Sequence, residues 1–265
     1  MEFNESDLIR EYLKFCELRN KALHTKEMDL SHIDWFYPTN LLPLGIFIKT
    51  NRDISVIPPT SSDVLSYYNI ITKGKQHVSS RSSYHPIAEI PLDAHQRERM
   101  LEPLYAFESD YIGGRNAFAY LIGELVDNVY QHSSFSTAYI MAQKYPKKRF
   151  IEISIIDNGI SIPGAFKKVG FEFDDTTALS EAIKGLSTKH DKERGFGLIS
   201  SINLLTKGLH GECLIVSRKG GFIAKGEDKQ TFYNMGEYHA LYGTLISIRV
   251  PYITKTVNIY DYIEQ

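Results

Sequence analysis

The stretch GELVDNVYQHSS, Gly123 to Ser134, sets Glu124, Asp127, Asn128 and His132 within about two helical turns. Carboxylate, amide and imidazole are the groups that hold metal-bound phosphate or move protons. Glu124 and Asn128 are four residues apart and so neighbours on one helix face. Asp127 and Gln131 flank them, and Phe118, Ile122, Leu125, Val126 and Val129 share the other side. The pattern also reads as the wet face of an amphipathic helix, although Asp and Asn are poor helix-interior residues. A second stretch, IIDNGISIPGAF, ends a buried strand in Asp157-Asn158-Gly159. A carboxylate there can accept the amine of an adenine and would repel a phosphate, and Gly159 lets the backbone come close to a ligand. The same tripeptide is also a common turn. A third, GLSTKHDKERGFGL, puts Gly195 and Gly197 before an apolar helix, with Ser187, Thr188, Lys189 and Arg194 around them. Bare N–H groups at a helix start suit an anion. His132, one turn beyond Asn128, reads as structural.

The elements that must position these residues follow from periodicity. Residues 115–132 read as a helix, TAYIMAQK and RFIEISIID as strands, and GFGLISSINLLTKG as a helix. Ile151, Ile153 and Ile155 alternate with Glu152 and Ser154, the pattern of a half-buried strand. Between that strand and Gly195 the chain reads as a flexible passage. ECLIVSRK and TLISIRVP close the pattern, with Gly220-Gly221 as a turn and GEDKQTFYNMGEYHA as an insertion. Helices set apart from grouped strands predict an α+β sandwich with one covered sheet face. Upstream, residues 5–23 predict a helix with Leu8, Tyr12, Phe15 and Cys16 on one side. Residues 28–72 then predict strand, helix, short strand and short helix, a small α/β unit. The polar run KGKQHVSSRSSYHP, 73–86, reads as a linker.

Composition narrows the function classes. The chain has 265 residues, 43% hydrophobic and 23% charged, with a formal net charge of -2, so no global basic field points to nucleic acid. The apolar runs are short and interrupted, which argues against a membrane span. The acidic N-terminus does not read as a secretory signal, and Cys16 and Cys213 have no metal-ligand spacing; both are expected to be buried reduced thiols of a cytoplasmic protein. There is no GxxxxGK[ST], and the Gly-x-Gly does not follow a strand as GxGxxG would.

In this order, the three stretches resemble the GHKL superfamily of gyrase B, MutL-type mismatch-repair ATPases, heat-shock chaperones and histidine kinases. Glu124-Leu-Val-Asp127-Asn128 resembles its N box and Asp157-Asn158-Gly159-Ile160-Ser161-Ile162 its first glycine box. Ser187-Thr188-Lys189 through Arg194-Gly195-Phe196-Gly197-Leu198 resembles its lid and second glycine box, and Gly243-Thr244-Leu245 its closing motif. The resemblance covers about residues 95 to 255. It implies a Bergerat α/β sandwich over 91–265 binding ATP and Mg²⁺, with Asn128 on the metal, Asp157 on the adenine amine, Thr244 helping to hold that aspartate, and Gly159 and Ile162 among the nucleotide-binding residues. Asp127, Ser187, Thr188, Lys189, Arg194, Gly195, Phe196, Gly197 and Leu198 would complete the nucleotide site under a mobile lid. Glu124 would be the catalytic carboxylate. Glu-x-x-Asp-Asn is similar to the hydrolysing branch, and the longer run to the anti-sigma-factor serine kinases. One position departs: the box's second glycine is Ser161. Residues 1–90, with the turn Tyr37-Pro38-Thr39-Asn40, weakly resemble STAS-like domains, Thr39 standing where those carry an acceptor serine.

The resulting expectation is a regulatory ATPase or protein Ser/Thr kinase that binds ATP and ADP. Its closing lid, 185–197, would control a regulatory protein partner, and a strand edge of the N-terminal unit offers a docking surface for that partner or for a second copy. The alternatives are a non-catalytic nucleotide-responsive module and a histidine-kinase-like signalling protein. Against the latter, no helical hairpin carrying an acceptor histidine precedes the domain, His24 being the nearest.

Overall fold

The computed structural model describes residues 6–73, 83–105, 112–186, 197–226 and 229–263. Its class is α+β. Helix α1, Asp7–Thr25, starts where the Ser6 side chain accepts from Leu8 N–H at 3.1 Å. It buries Leu8, Ile9, Tyr12, Phe15 and Cys16. Strand β1, Glu27–Asp29, helix α2, Pro38–Thr50, and strand β2, Ser55–Ile57, form a βαβ unit in which β1 and β2 pair in parallel. Proline at the first position of α2 fixes φ and forfeits no hydrogen bond. Helix α3, Ser62–Lys73, follows, so the order read from the sequence is the order observed.

The large sheet has seven strands in the order β3-β4-β5-β9-β6-β7-β8, every neighbour antiparallel. They are β3, Tyr84–Glu89; β4, Ala138–Tyr145; β5, Phe150–Asp157; β6, Glu212–Arg218; β7, Gly220–Lys225; β8, Lys229–Asn234; and β9, Leu241–Pro251. On one face lie α4, Arg97–Tyr105, α5, Arg115–Asn128, α6, Ser161–Lys168, α7, Asp175–Ile183, and α8, Gly197–Asn203. Phe118, Leu121, Ile122, Leu125 and Val126 of α5 pack on Ile153, Ile155, Ile246 and Ile248 of the sheet. A short helix α9, Tyr260–Ile263, follows the last strand.

Several sequence expectations need correcting. The segment read as a linker ends in β3, whose Pro86 sits at a register shift between His85 and Ala88 on an edge strand; an edge tolerates the missing donor. Gly220 and Gly221 open β7 rather than making the turn. They are glycine because a Cβ would lie 2.5 Å from Asp175 O and 2.7 Å from Met235 Sδ respectively. The insertion supplies β8. The passage read as flexible holds α6 and α7, the latter capped by Asp174, which accepts from Thr176 and Thr177 N–H at 2.9 Å. The 115–132 helix is α-helical to Asn128 and continues as a π turn, Val129–Ser133.

Nor is the second sheet face wet. Glu152 and Ser154 are both 0% exposed, because α1, α2 and α3 cover that face and pack on Tyr139, Met141, Ile156, Leu214, Val216 and Leu245. The polar residues there are paired instead of solvated. Ser154 Oγ meets Ser247 Oγ at 2.8 Å. Glu152 accepts from Thr39 N–H and Oγ–H at 3.0 and 2.8 Å and from Arg249 Nη2 at 2.8 Å. Arg249 also reaches Asp7 at 2.9 Å. Thr39 is therefore fully buried and, with α2 docked, out of reach as a phosphate acceptor. Cys16 and Cys213 are free and buried, their thiols pushed up to about 11 and about 12 by burial. Among the described residues no helix is long and apolar enough to cross a membrane.

Candidate functional site

A cleft of about 790 Å³, open mouth included, lies between the helices and the end of the sheet. Its floor holds Asp157 on β5, paired in register with Thr244 on β9; behind Thr244 the polar row continues to Ser217 on β6, fully buried and off the lining. Thr244 Oγ1 and Ser217 Oγ are 2.9 Å apart, and Ser217 Oγ also accepts from Ile162 N–H at 2.9 Å. Asp157 is 6% exposed. Its Oδ1 accepts from Gly159 N–H at 2.7 Å, the only partner it has among the described residues. Burial pushes its pKa up to about 6, and the Gly159 hydrogen bond partly opposes that.

Two glycines permit this geometry. A Cβ on Gly159 would stand 2.1 Å from Ser133 O, and one on Gly243, at φ +88°, would stand 1.9 Å from Asp157 O. The strand tips and the end of the α5 segment thus touch through bare backbone. Asn158 fixes the neighbouring loop, its Oδ1 accepting from Ser136 and Thr137 N–H at 3.0 and 2.9 Å. Ser161 has φ +70°, the left-handed region that favours glycine, so the backbone keeps a glycine conformation where the residue is serine. Its side chain is buried in the cleft wall.

On the opposite wall, Asn128 ends α5, and its Nδ2 is buried with no hydrogen-bond partner among the described residues. Such an orphan is uncommon in native proteins. Gly197, the first residue of α8, abuts it: a Cβ there would lie 3.0 Å from Glu124 Oε2 and 3.7 Å from Asn128 Oδ1. Glu124 is half-buried one turn before Asn128.

Of the residues singled out in the sequence, Asn128, Asp157, Ile162, Gly197, Leu198 and Thr244 line this one cleft, with Glu124 and Gly159 against it. Asp127 is turned away, ion-paired with Arg97 of α4. Ser187, Thr188, Lys189, Arg194, Gly195 and Phe196 lie outside the described residues. Sequence reasoning missed Ser217, Ser133 and the apolar wall from Ala165, Phe166, Ala182 and Leu186, and it set His132 aside, although His132 and Ser133 line the cleft. Ser133 Oγ is a second buried atom with no partner among the described residues. Strand alternation in ECLIVSRK puts Ser217 on the same face as Cys213 and Ile215, the one signal that could have found it.

Among the described residues no group of three His, Cys, Asp or Glu is placed to hold a metal. A cation here would need most of its ligands from a bound anion and water, as Mg²⁺ ordinarily has. No model of a known protein family matches the chain, and no curated protein matches its sequence.

Proposed function

We propose that this chain is a Mg²⁺-dependent ATP-binding protein of the GHKL kind. In this reading it acts as a regulatory ATPase or a protein Ser/Thr kinase whose nucleotide state controls a protein partner. One observation carries the proposal: the buried strand-tip carboxylate of Asp157 and Asn128, whose buried amide nitrogen lacks a partner, line one cleft, with side-chain-free Gly197 against Glu124 and Asn128. Asp157, ionised and with one oxygen uncommitted, accepts the exocyclic amine of adenine, and Thr244 beside it completes the contact. The apolar wall of Ala165, Phe166 and Leu186 covers the base.

Asn128 is the side chain that would hold Mg²⁺, which when bound neutralises phosphate charge. Glu124, one turn back, orients a water or a substrate hydroxyl and takes up its proton. Gly197 keeps the space in front of that carboxylate open. The seven-stranded antiparallel sheet, with helices over the cleft face, supports a Bergerat-type sandwich. For residues 1–90 the βαβ unit supports the STAS-like comparison in element order alone.

Ser161 favours a second reading, a non-catalytic nucleotide-responsive module, since its buried side chain occupies a position that the resemblance assigns to glycine. Single-turnover assays of wild type and Glu124→Ala, with ATP alone and with candidate protein acceptors, separate the two. The enzyme reading predicts that Glu124→Ala binds ATP within about threefold of wild type and loses two or more orders of magnitude in phosphate release or transfer. Wild type that binds ATP and shows no chemistry beyond that of Glu124→Ala would leave the module reading in its place.

A further inference from the structure

A second cavity lies on the other face of the sheet, between α1, α2 and the strand tips, and encloses about 670 Å³ with its mouth. Its walls are largely apolar, from Phe15, Ile46, Phe47, Tyr139, Ile156 and Leu241. Phe15, Tyr139, Ile156 and Leu241 are themselves buried, so the cavity is set into the interface rather than lying on an open face.

Its charge does not match its walls. Arg19 lines it, and among the described residues its guanidinium hydrogen-bonds to neutral oxygens: Ala240 O at 2.7 Å, Tyr238 O at 2.7 Å and Asn20 Oδ1 at 3.3 Å. Lys49, exposed and off the lining, stands 3.2 Å from Oη of Tyr139, a lining residue, and 5.1 Å from that ring's centre. Among the described residues neither cation is paired with a carboxylate. The one carboxylate on the lining, Asp157, accepts from Gly159 N–H and also belongs to the front cleft. Positive charge at an apolar hollow attracts an anion more strongly than the same charge in open water.

We propose that this cavity is a binding site for a small amphiphilic carboxylate, its hydrocarbon part between Ile46, Phe47 and Ile156 and its carboxylate at Arg19. Carboxylate chemistry is selected over an alcohol or an amine by the Arg19 guanidinium, and a medium chain over acetate by the apolar walls. The assignment is independent of the nucleotide reading.

Calorimetric titration of the full chain with sodium decanoate tests it, with hexanoate, decanol and decylamine as comparators. Saturable decanoate binding in the submillimolar range is expected, with each methylene from hexanoate upward tightening it about fourfold until the cavity is full. Decylamine should not bind saturably, and decanol should bind at least tenfold more weakly. Arg19→Gln is expected to weaken decanoate binding at least tenfold. Because that change also removes hydrogen bonds to the 238–240 carbonyls, Ile46→Trp, which fills the cavity from half-buried α2, is the independent variant; with an unchanged circular dichroism spectrum it should abolish binding. Absence of saturable decanoate binding to folded wild type would overturn the assignment. So would decylamine binding as tightly as decanoate, or folded Ile46→Trp binding decanoate like wild type.

Discussion

Asp157 combines two requirements that oppose each other. To meet an adenine amine it must be ionised, yet burial at the strand tip penalises the charge and pushes its pKa up to about 6. Because the pKa is higher folded than unfolded, Asp157 favours the fold in its protonated form. That contribution is complete below about pH 4 and is lost as pH rises through about 6. Asp157→Asn keeps an oxygen for Gly159 N–H and removes the buried charge. The variant is therefore expected to be more stable than wild type at pH 7.5 by about 3 kcal/mol, with the difference shrinking toward pH 4, as urea unfolding at several pH values would measure. An equal or lower stability at pH 7.5 would mean that the carboxylate is better solvated than its burial indicates. The residue types at this scale were legible in the sequence, because carboxylate, amide and glycine at fixed spacing carry chemistry on their own. Ser217 and Ser133 were not, since a serine becomes part of a site only when strand register or a helix end aims it there.

At the scale of elements, the cleft depends on strand tips and helix ends approaching closer than side chains allow. Gly243 and Gly170 separate the causes, since both have positive φ, +88° and +93°, but only Gly243 has a neighbour where its Cβ would go. Gly170→Ala is expected to cost about 1 kcal/mol from conformation alone, and Gly243→Ala about 3 kcal/mol or more, as the new methyl drives into Asp157 O. Equal losses in chemical denaturation would show that the β5 and β9 tips can separate freely. Periodicity found α1, α5, β4, β5, β6 and β9, whose apolar residues repeat cleanly. It missed β3 and β8, where polar residues and Pro86 mask edge strands, and it misjudged Gly220 and Gly221, which are glycine for packing against Asp175 and Met235. Helices α6 and α7 were hidden because they are only 8 and 9 residues long.

For the whole molecule, the chief departure from the sequence reading is the covered second face. Alternation of Ile with Glu152 and Ser154 has the same form whether the polar side meets water or buried partners, and only long-range pairing decides. Here Glu152, 0% exposed, is held by Arg249 and by the start of α2, and Arg249 also bonds Asp7 on α1. The Glu152–Arg249 pair thus ties α1 and α2 to the sheet. Arg249→Met leaves a carboxylate buried without its cation and is expected to destabilise the protein by about 3–5 kcal/mol. Adding Glu152→Gln should restore much of that, whereas two independent losses that add would show that the pair is not coupled. Asp157 borders both cavities, so any ligand on the N-terminal side shares that residue with the cleft.

Calorimetric titration of ATP, with and without Mg²⁺, into wild type and Asp157→Asn tests the central claim most directly. The account predicts saturable, magnesium-dependent ATP binding to wild type that weakens as pH falls below about 6 and is lost in the folded variant. Wild type that takes up no ATP at millimolar concentration, or a variant that binds as wild type does, would contradict it.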